Sequence, residues 1–306
     1  QNQPVDIWYF PGVSQQKALV IGGIHGSELS SVAVANQLIR QLQQGKKPYY
    51  SVVVIPSLFP DNARVAEKSS RDRVPDNKGR YTAETTADPN RQMPAAGQPF
   101  LLQDPTDAMS RPMETEIRAL LQVIQVFRPD RLLSIHAIRD QRRAGIFADP
   151  RTDCSGMALG FDTDEELALL MAEHIETFGG ACPGNQLDSV PTALYYLDPA
   201  IALPGQKQLR SFQLGTLVGK GRGVSLGTWC STAVCSGNRE LSRPAIRTFT
   251  IEFPGYFTPD EYTAPAEQQK YRQLVSVYAA SVQRYFLEPF HVERKLSEEQ
   301  EPFASR

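Results

Sequence analysis

The sequence predicts one α/β domain: a mixed, mostly parallel twisted sheet with helices on both faces. Three observations lead to this class. Apolar runs long enough for strands occur at 18–24 (ALVIGGI), 51–58 (SVVVIPSL), 131–137 (RLLSIHA) and 245–254 (AIRTFTIEFP). The first two carry apolar residues at successive positions, as strands covered on both faces require, and the last is strongly β-branched. Segments with helical spacing alternate with them, and neither an internal repeat nor a linker divides the chain.

Each element has its own signal. The first strand ends in two glycines, and His25 and Glu28 follow before a helix over 30–42, with Val32, Ala35, Leu38, Ile39 and Leu42 on one face. After the second strand, residues 61–111 are polar, rich in Pro, Gly, Asp, Asn and Arg, and without period. Irregular segments of that length inside a compact domain are commonly functional or mobile. Ile117, Leu120, Leu121 and Ile124 mark a helix from Met113 to Phe127, closed by Pro129. The next strand ends at His136. Thr163 to Glu166 reads as a capping-box start for a helix to Phe178. Residues 183–244 are loop-rich, and the β-branched strand at 245–254 precedes a helix from Pro259 to Phe286. The domain is expected to span 1–290, with a polar tail at 291–306.

Composition narrows the function classes. With 306 residues, 41% hydrophobic and 22% charged, the chain matches ordinary globular enzymes. A net charge of -2 provides no drive toward nucleic acid or an anionic membrane. No apolar run reaches the roughly 20 residues of a membrane span. The chain begins at Gln1, as expected of a processed, secreted form. Cys154, Cys182, Cys230 and Cys235 include no CxxC pair, so a structural zinc cluster is not expected. Their even number fits two disulfides and a periplasmic or secreted protein, and proximity in sequence favours Cys230–Cys235 and Cys154–Cys182. The alternative is four buried thiols in a cytoplasmic protein.

In open α/β sheets, ligands bind beyond the carboxyl ends of the strands. His25 with Glu28, His136, and Glu252 stand at three such ends. Two imidazoles and a carboxylate form a three-ligand catalytic zinc site with one position left for water. His25, Glu28 and His136 are therefore expected to bind one Zn2+, with Glu252 unbound as the base. Singly, each ligand has an ordinary explanation: a histidine at a strand end is often a core residue, and Glu28 could complement a helix dipole. Glu252 inside TFTIEFP is harder to explain structurally, because burying an unpaired carboxylate costs on the order of several kcal/mol.

The runs HGSE at 25–28, DPNR at 88–91, SIHA at 134–137 and TIEFP at 250–254 resemble, in this order, the zinc carboxypeptidase family. The resemblance spans roughly residues 18–255 and supports the ligand set His25, Glu28 and His136. It implies that Asp88 holds the other ring nitrogen of the first histidine. Asn90 and Arg91 match the pair that captures the substrate's terminal carboxylate, a task suited to a guanidinium fork. Glu252 matches the base that takes a proton from the attacking water and passes it to the leaving amine. An arginine upstream of the Asn-Arg pair polarises the scissile carbonyl in the family; Arg71 and Arg73 both qualify, and spacing does not choose between them. Phe59-Pro60-Asp61-Asn62 stands where the family often has Asn-Pro-Asp-Gly, and the tyrosine of the digestive members has no clear counterpart.

SLGTW at 225–229 resembles the bacterial murein peptide amidase branch, whose members cut the γ-D-glutamyl to diaminopimelate bond. Trp229 is then either a substrate contact or a wall of the core. The resemblance implies a zinc-dependent hydrolase that removes a C-terminal residue from a small, peptidoglycan-derived peptide with a free carboxylate. A deacylase of N-acyl amino acids, of the aspartoacylase and succinylglutamate desuccinylase type, shares the HxxE and lone-His ligands. Those relatives generally carry a β-rich domain after the late glutamate, whereas one helix and a tail follow Glu252 here. A non-catalytic peptide-binding relative would be expected to lose Glu252 or a ligand, and neither is lost. His174 and His291 receive no role.

Overall fold

The structure, a computed structural model, describes residues 3–68, 78–82, 87–160, 162–187, 223–256 and 263–289. Six strands, β1 (Trp8–Phe10), β2 (Lys17–Ile21), β3 (Ser51–Ile55), β4 (Arg131–Ile138), β5 (Gly145–Ala148) and β6 (Arg247–Pro254), form one sheet. Their order is β1-β3-β2-β4-β6-β5. The four inner strands are parallel, and β1 and β5 are antiparallel edges. This is the mixed, mostly parallel α/β sheet that the sequence predicts.

Helices α1 (Leu29–Gln44), α4 (Asp162–Thr177) and α6 (Pro265–Ser281) cover one face through Val34, Leu38, Met171, Ile175 and Tyr278, packed on Phe249, Ile251 and Phe253. Helices α3 (Thr115–Phe127) and α5 (Leu226–Ser231) cover the other through Leu120, Leu121, Leu226 and Trp229, packed on Leu19, Ile21 and Leu132. Helix α2 (Pro60–Glu67) follows β3, with Pro60 in its first turn. Among the described residues, no helix is long and apolar enough to cross a membrane.

Several boundaries differ from the expectation. The apolar ends of the first two strand segments leave the sheet: Leu58 N donates to Gly22 O (3.0 Å) and Phe59 N to Gly23 O (3.1 Å). Gly23 takes a positive φ of 62°, a turn that a side chain would resist. Helix α4 begins at Asp162, and Thr163 Oγ1 accepts from Arg247 Nη2 (3.4 Å). The last helix closes in a π turn, Val282–Phe286. The tail at 291–306 lies outside the described residues.

The expected cysteine pairing is corrected. The disulfide joins Cys154 to Cys235, tying the loop after β5 to the segment after α5. Cys182 and Cys230 are buried free thiols, the first packed against the Tyr278 hydroxyl at 3.5 Å. Burial pushes both thiols up to about 12, which leaves them unreactive. Neighbours in sequence pair only where their Cβ vectors meet, and α5 directs Cys230 into the core.

Candidate metal centre and active site

The loop after β2 is shaped by contact with α2. A Cβ on Gly26 would stand 2.3 Å from Asn62 Cβ and 2.5 Å from Gly79 O, so glycine alone fits there. Glu28 N donates to His25 O (3.1 Å), closing a turn that presents both side chains on one side. Ser31 Oγ donates to Glu28 O (2.6 Å) and accepts from Gly23 N (3.0 Å), which pins the loop. Glu28 occupies the N-cap position of α1, but its side chain makes no cap hydrogen bond. The carboxylate is directed at imidazoles instead.

His136 and Glu252 are register partners in the parallel pair β4–β6, each two residues before its strand's end. Their side chains project from the same face, and neighbouring strands lie about 5 Å apart. His25 Nδ1 stands 2.9 Å from Glu28 Oε1, and His136 Nδ1 stands 3.0 Å from Glu28 Oε2. One ligand atom from each of the three buried residues falls within 4.8 Å of the other two. The structure thus brings together the three expected ligands, with Glu252 beside them.

The donor set fits a metal ion on tautomer grounds. His25 Nε2 lies 2.7 Å from Asp88 Oδ1, and Asp88 also accepts from Asn90 N (2.8 Å). With Nε2–H donating to Asp88, a neutral His25 turns the lone pair of Nδ1 toward a carboxylate oxygen. Only a second proton or a cation resolves that contact. His136 turns its Nε2 to Ser134 Oγ (3.1 Å), which leaves Nδ1 on the side of Glu28 and His25. Two imidazole nitrogens and one carboxylate suit zinc better than harder ions.

Electrostatics agree. Burial alone would raise Glu28, but His25 and His136 outweigh it and hold its carboxyl well below the usual range. Burial lowers His25, yet Glu28 and Asp88 leave it raised. Asp88 is also pushed up by burial, and its bond to His25 brings it down to about 2. Glu252 is raised, chiefly by burial and further by Glu28, with His136 opposing. Replacing Asp88 with asparagine is expected to weaken zinc affinity about 10- to 100-fold, because the ring loses its orienting carboxylate. Competition with a chromophoric chelator measures this; unchanged affinity would show that Asp88 has no hold on the metal.

Other expected residues fare unevenly. Asn90 Oδ1 accepts from Leu226 N at the start of α5 (3.0 Å), which sets its amide 3.4 Å from His136 Nε2. Arg91 donates from Nη1 to Asn90 O (2.7 Å), and no ion pair to it occurs among the described residues. Arg71 and Arg73 lie outside the described residues, as does His291. Trp229 is corrected as a substrate contact: its ring is buried in the core, its indole N–H donates to Gln98 O (2.9 Å), and Arg243 stacks 4.3 Å from the ring centroid.

Two further residues stand at the centre. Arg80 donates from Nη1 to Glu28 Oε1 (2.7 Å) and reaches to 4.0 Å from Asp88, while Ser134 supports His136. Arg80 sits in the aperiodic polar stretch, where nothing distinguishes it from a surface charge. Ser134 carries the weak signal of a polar residue two positions before His136 on one strand.

No protein-family model matches the chain, and no curated protein matches it either. Solved structures do. Murein-tripeptide amidase MpaA from Escherichia coli O157 matches at 19% identity over 89% of this chain and 85% of its own, with a TM-score of 0.42. A metallo-carboxypeptidase from Pseudomonas aeruginosa matches at 15% identity over 92% and 60%, with a TM-score of 0.44. A Shewanella amazonensis protein provisionally assigned to the succinylglutamate desuccinylase/aspartoacylase family matches at 12% identity over 92% and 68%, with a TM-score of 0.43. At these values the site's own geometry, and not these likenesses, carries the functional reading.

Proposed function

We propose that the chain is a zinc-dependent hydrolase that removes a C-terminal residue from a small peptide with a free carboxylate. One observation carries this: two imidazoles and a carboxylate converge within 4.8 Å, with a second, partly buried carboxylate on the adjacent strand. Zinc held by His25, Glu28 and His136 would polarise the scissile carbonyl and lower the pKa of water to about 7. Glu252, raised by burial, is suited to take up the water's proton and pass it to the leaving amine. Arg91 is the proposed clamp for the terminal carboxylate, and Asn90 is held in place by α5. Arg80, the upstream arginine found at the centre, takes the carbonyl-polarising role for which Arg71 and Arg73 are the sequence's candidates.

The substrate we favour is a peptidoglycan fragment, and the disulfide fits the oxidising, periplasmic or secreted setting where such fragments are met. The test incubates zinc-loaded protein with a murein tripeptide, an N-acyl amino acid and a peptide ending in an ordinary α-linked residue, with and without chelator. Mass spectrometry is expected to show chelator-sensitive release of diaminopimelate. Cleavage of the acylated amino acid alone would instead select a deacylase, and no cleavage of any substrate would refute the hydrolase.

A further inference from the structure

A cavity of about 290 Å³ lies at the end of the sheet opposite the metal centre. Its walls include Pro129 and Asp130, which lead into β4, and Ile246, which leads into β6. His136 and Glu252 stand near the other ends of those strands. Along β4, His136 is five residues on from Arg131, roughly 17 Å at the rise of a strand. The cavity lies between the end of α3, α5 and the segment 240–246. Phe100, Ile124, Trp229, Val234 and Ile246, all buried, give it an apolar floor.

Arg243 brings a cation to this apolar wall. Its guanidinium stacks 4.3 Å from the Trp229 ring centroid and donates to backbone carbonyls. Nη1 bonds Cys230 O (3.1 Å), Thr232 O (2.9 Å) and Pro244 O (3.3 Å), and Nη2 bonds Trp229 O (2.6 Å). Those carbonyls fix the group in place but bring no net charge. Nη2 keeps a second hydrogen, and the buried Nε has no partner. Arg128, exposed at the rim, donates from Nη2 to Ser242 O (2.6 Å). Among the described residues neither arginine forms an ion pair. Burial lowers the Arg243 pKa, and no carboxylate opposes it. A desolvated guanidinium of this kind gains from a counter-charge that the fold does not supply.

We propose that this cavity binds a small monocarboxylate with an aryl or branched alkyl body, the carboxylate pairing with Arg243 and the body covering the apolar floor. The volume stands at the lower bound of ligand pockets, about 300 Å³, which limits the ligand to a small molecule. A guanidinium suits a carboxylate in both charge and hydrogen-bond geometry. Asp130 and Glu240, both exposed, also line the cavity, and their charges disfavour a dianion such as phosphate. A neutral ligand would leave Arg243 without its counter-charge. None of these residues belongs to the metal centre, so the site stands apart from the hydrolase reading.

Phenylacetate is the probe, read by the fluorescence of Trp229 in a zinc-loaded Trp8→Phe background, where that indole is the sole tryptophan. A saturable change is expected, with phenylacetamide, the neutral isostere, binding at least about tenfold more weakly. Arg243→Met should weaken phenylacetate by a similar factor. Ala245→Phe, which fills the cavity from its wall, should abolish binding while zinc content and circular dichroism stay unchanged. Arg243 also holds the end of α5, so Ala245→Phe and the amide decide the matter if Arg243→Met unfolds. His136→Ala should bind phenylacetate as its parent does, because the site does not draw on zinc. No saturable binding, an amide that binds equally well, or binding kept in Ala245→Phe overturns the site. Binding lost together with the metal in His136→Ala assigns the probe to the metal centre and overturns it as well.

Discussion

Glu252→Gln is expected to keep a full complement of zinc and to lower kcat by about 100- to 10,000-fold. Glutamine has the shape of glutamate and can occupy the same rung opposite His136, so packing around β6 should persist. What it lacks is the ability to take and return a proton. Glu252 is suited to that task because burial, with the nearby Glu28, raises its pKa, while its partial exposure leaves it open to water and substrate. Stability should hold or rise slightly, since a partly desolvated carboxylate gives way to a neutral amide. Metal analysis and steady-state kinetics together decide the point. Turnover at the wild-type rate removes Glu252 as the base, whereas loss of zinc assigns it to the ligand set instead.

His136→Ala should reduce zinc from near-stoichiometric to near zero and abolish turnover. Two ligands from one loop, His25 and Glu28, do not make a closed site. The variant should still fold, because Glu28 keeps the Ala137 N–H at 3.1 Å and Arg80 at 2.7 Å as partners. A melting curve close to that of the metal-free wild type, beside absent zinc, is the expected pair of results. Full zinc occupancy in this variant refutes the ligand assignment.

Much of this site could be read from the chain. Strands β2 and β3 were legible because both faces are covered and their apolar residues are continuous, and β4 and β6 because apolar and β-branched residues surround His136 and Glu252. The edges were not: β1 exposes Trp8 and Tyr9 to solvent, and β5 is four residues long. Helices α2 and α5, of eight and six residues, are too short to set a hydrophobic period. Asp88, Asn90 and Arg91 were legible only through the resemblance to a known family. Arg80, ten residues before Asn90 in the same polar stretch, had no such support. The Cys154–Cys235 disulfide is not legible from distance along the chain, because the direction of side chains decides which cysteines meet.

The chain alone determined which groups could do chemistry. A titratable residue in an apolar run must justify its desolvation, so His136 and Glu252 stood out, as did His25 and Glu28 on one tight turn. Only the tertiary structure decided what faces what. The β4–β6 register sets His136 beside Glu252, a loop brings Arg80 onto Glu28, and α5 meets Asn90 through Leu226 N. Such contacts join segments far apart in sequence, and strand register and helix placement set them, whereas local periodicity reports only which face of an element is buried.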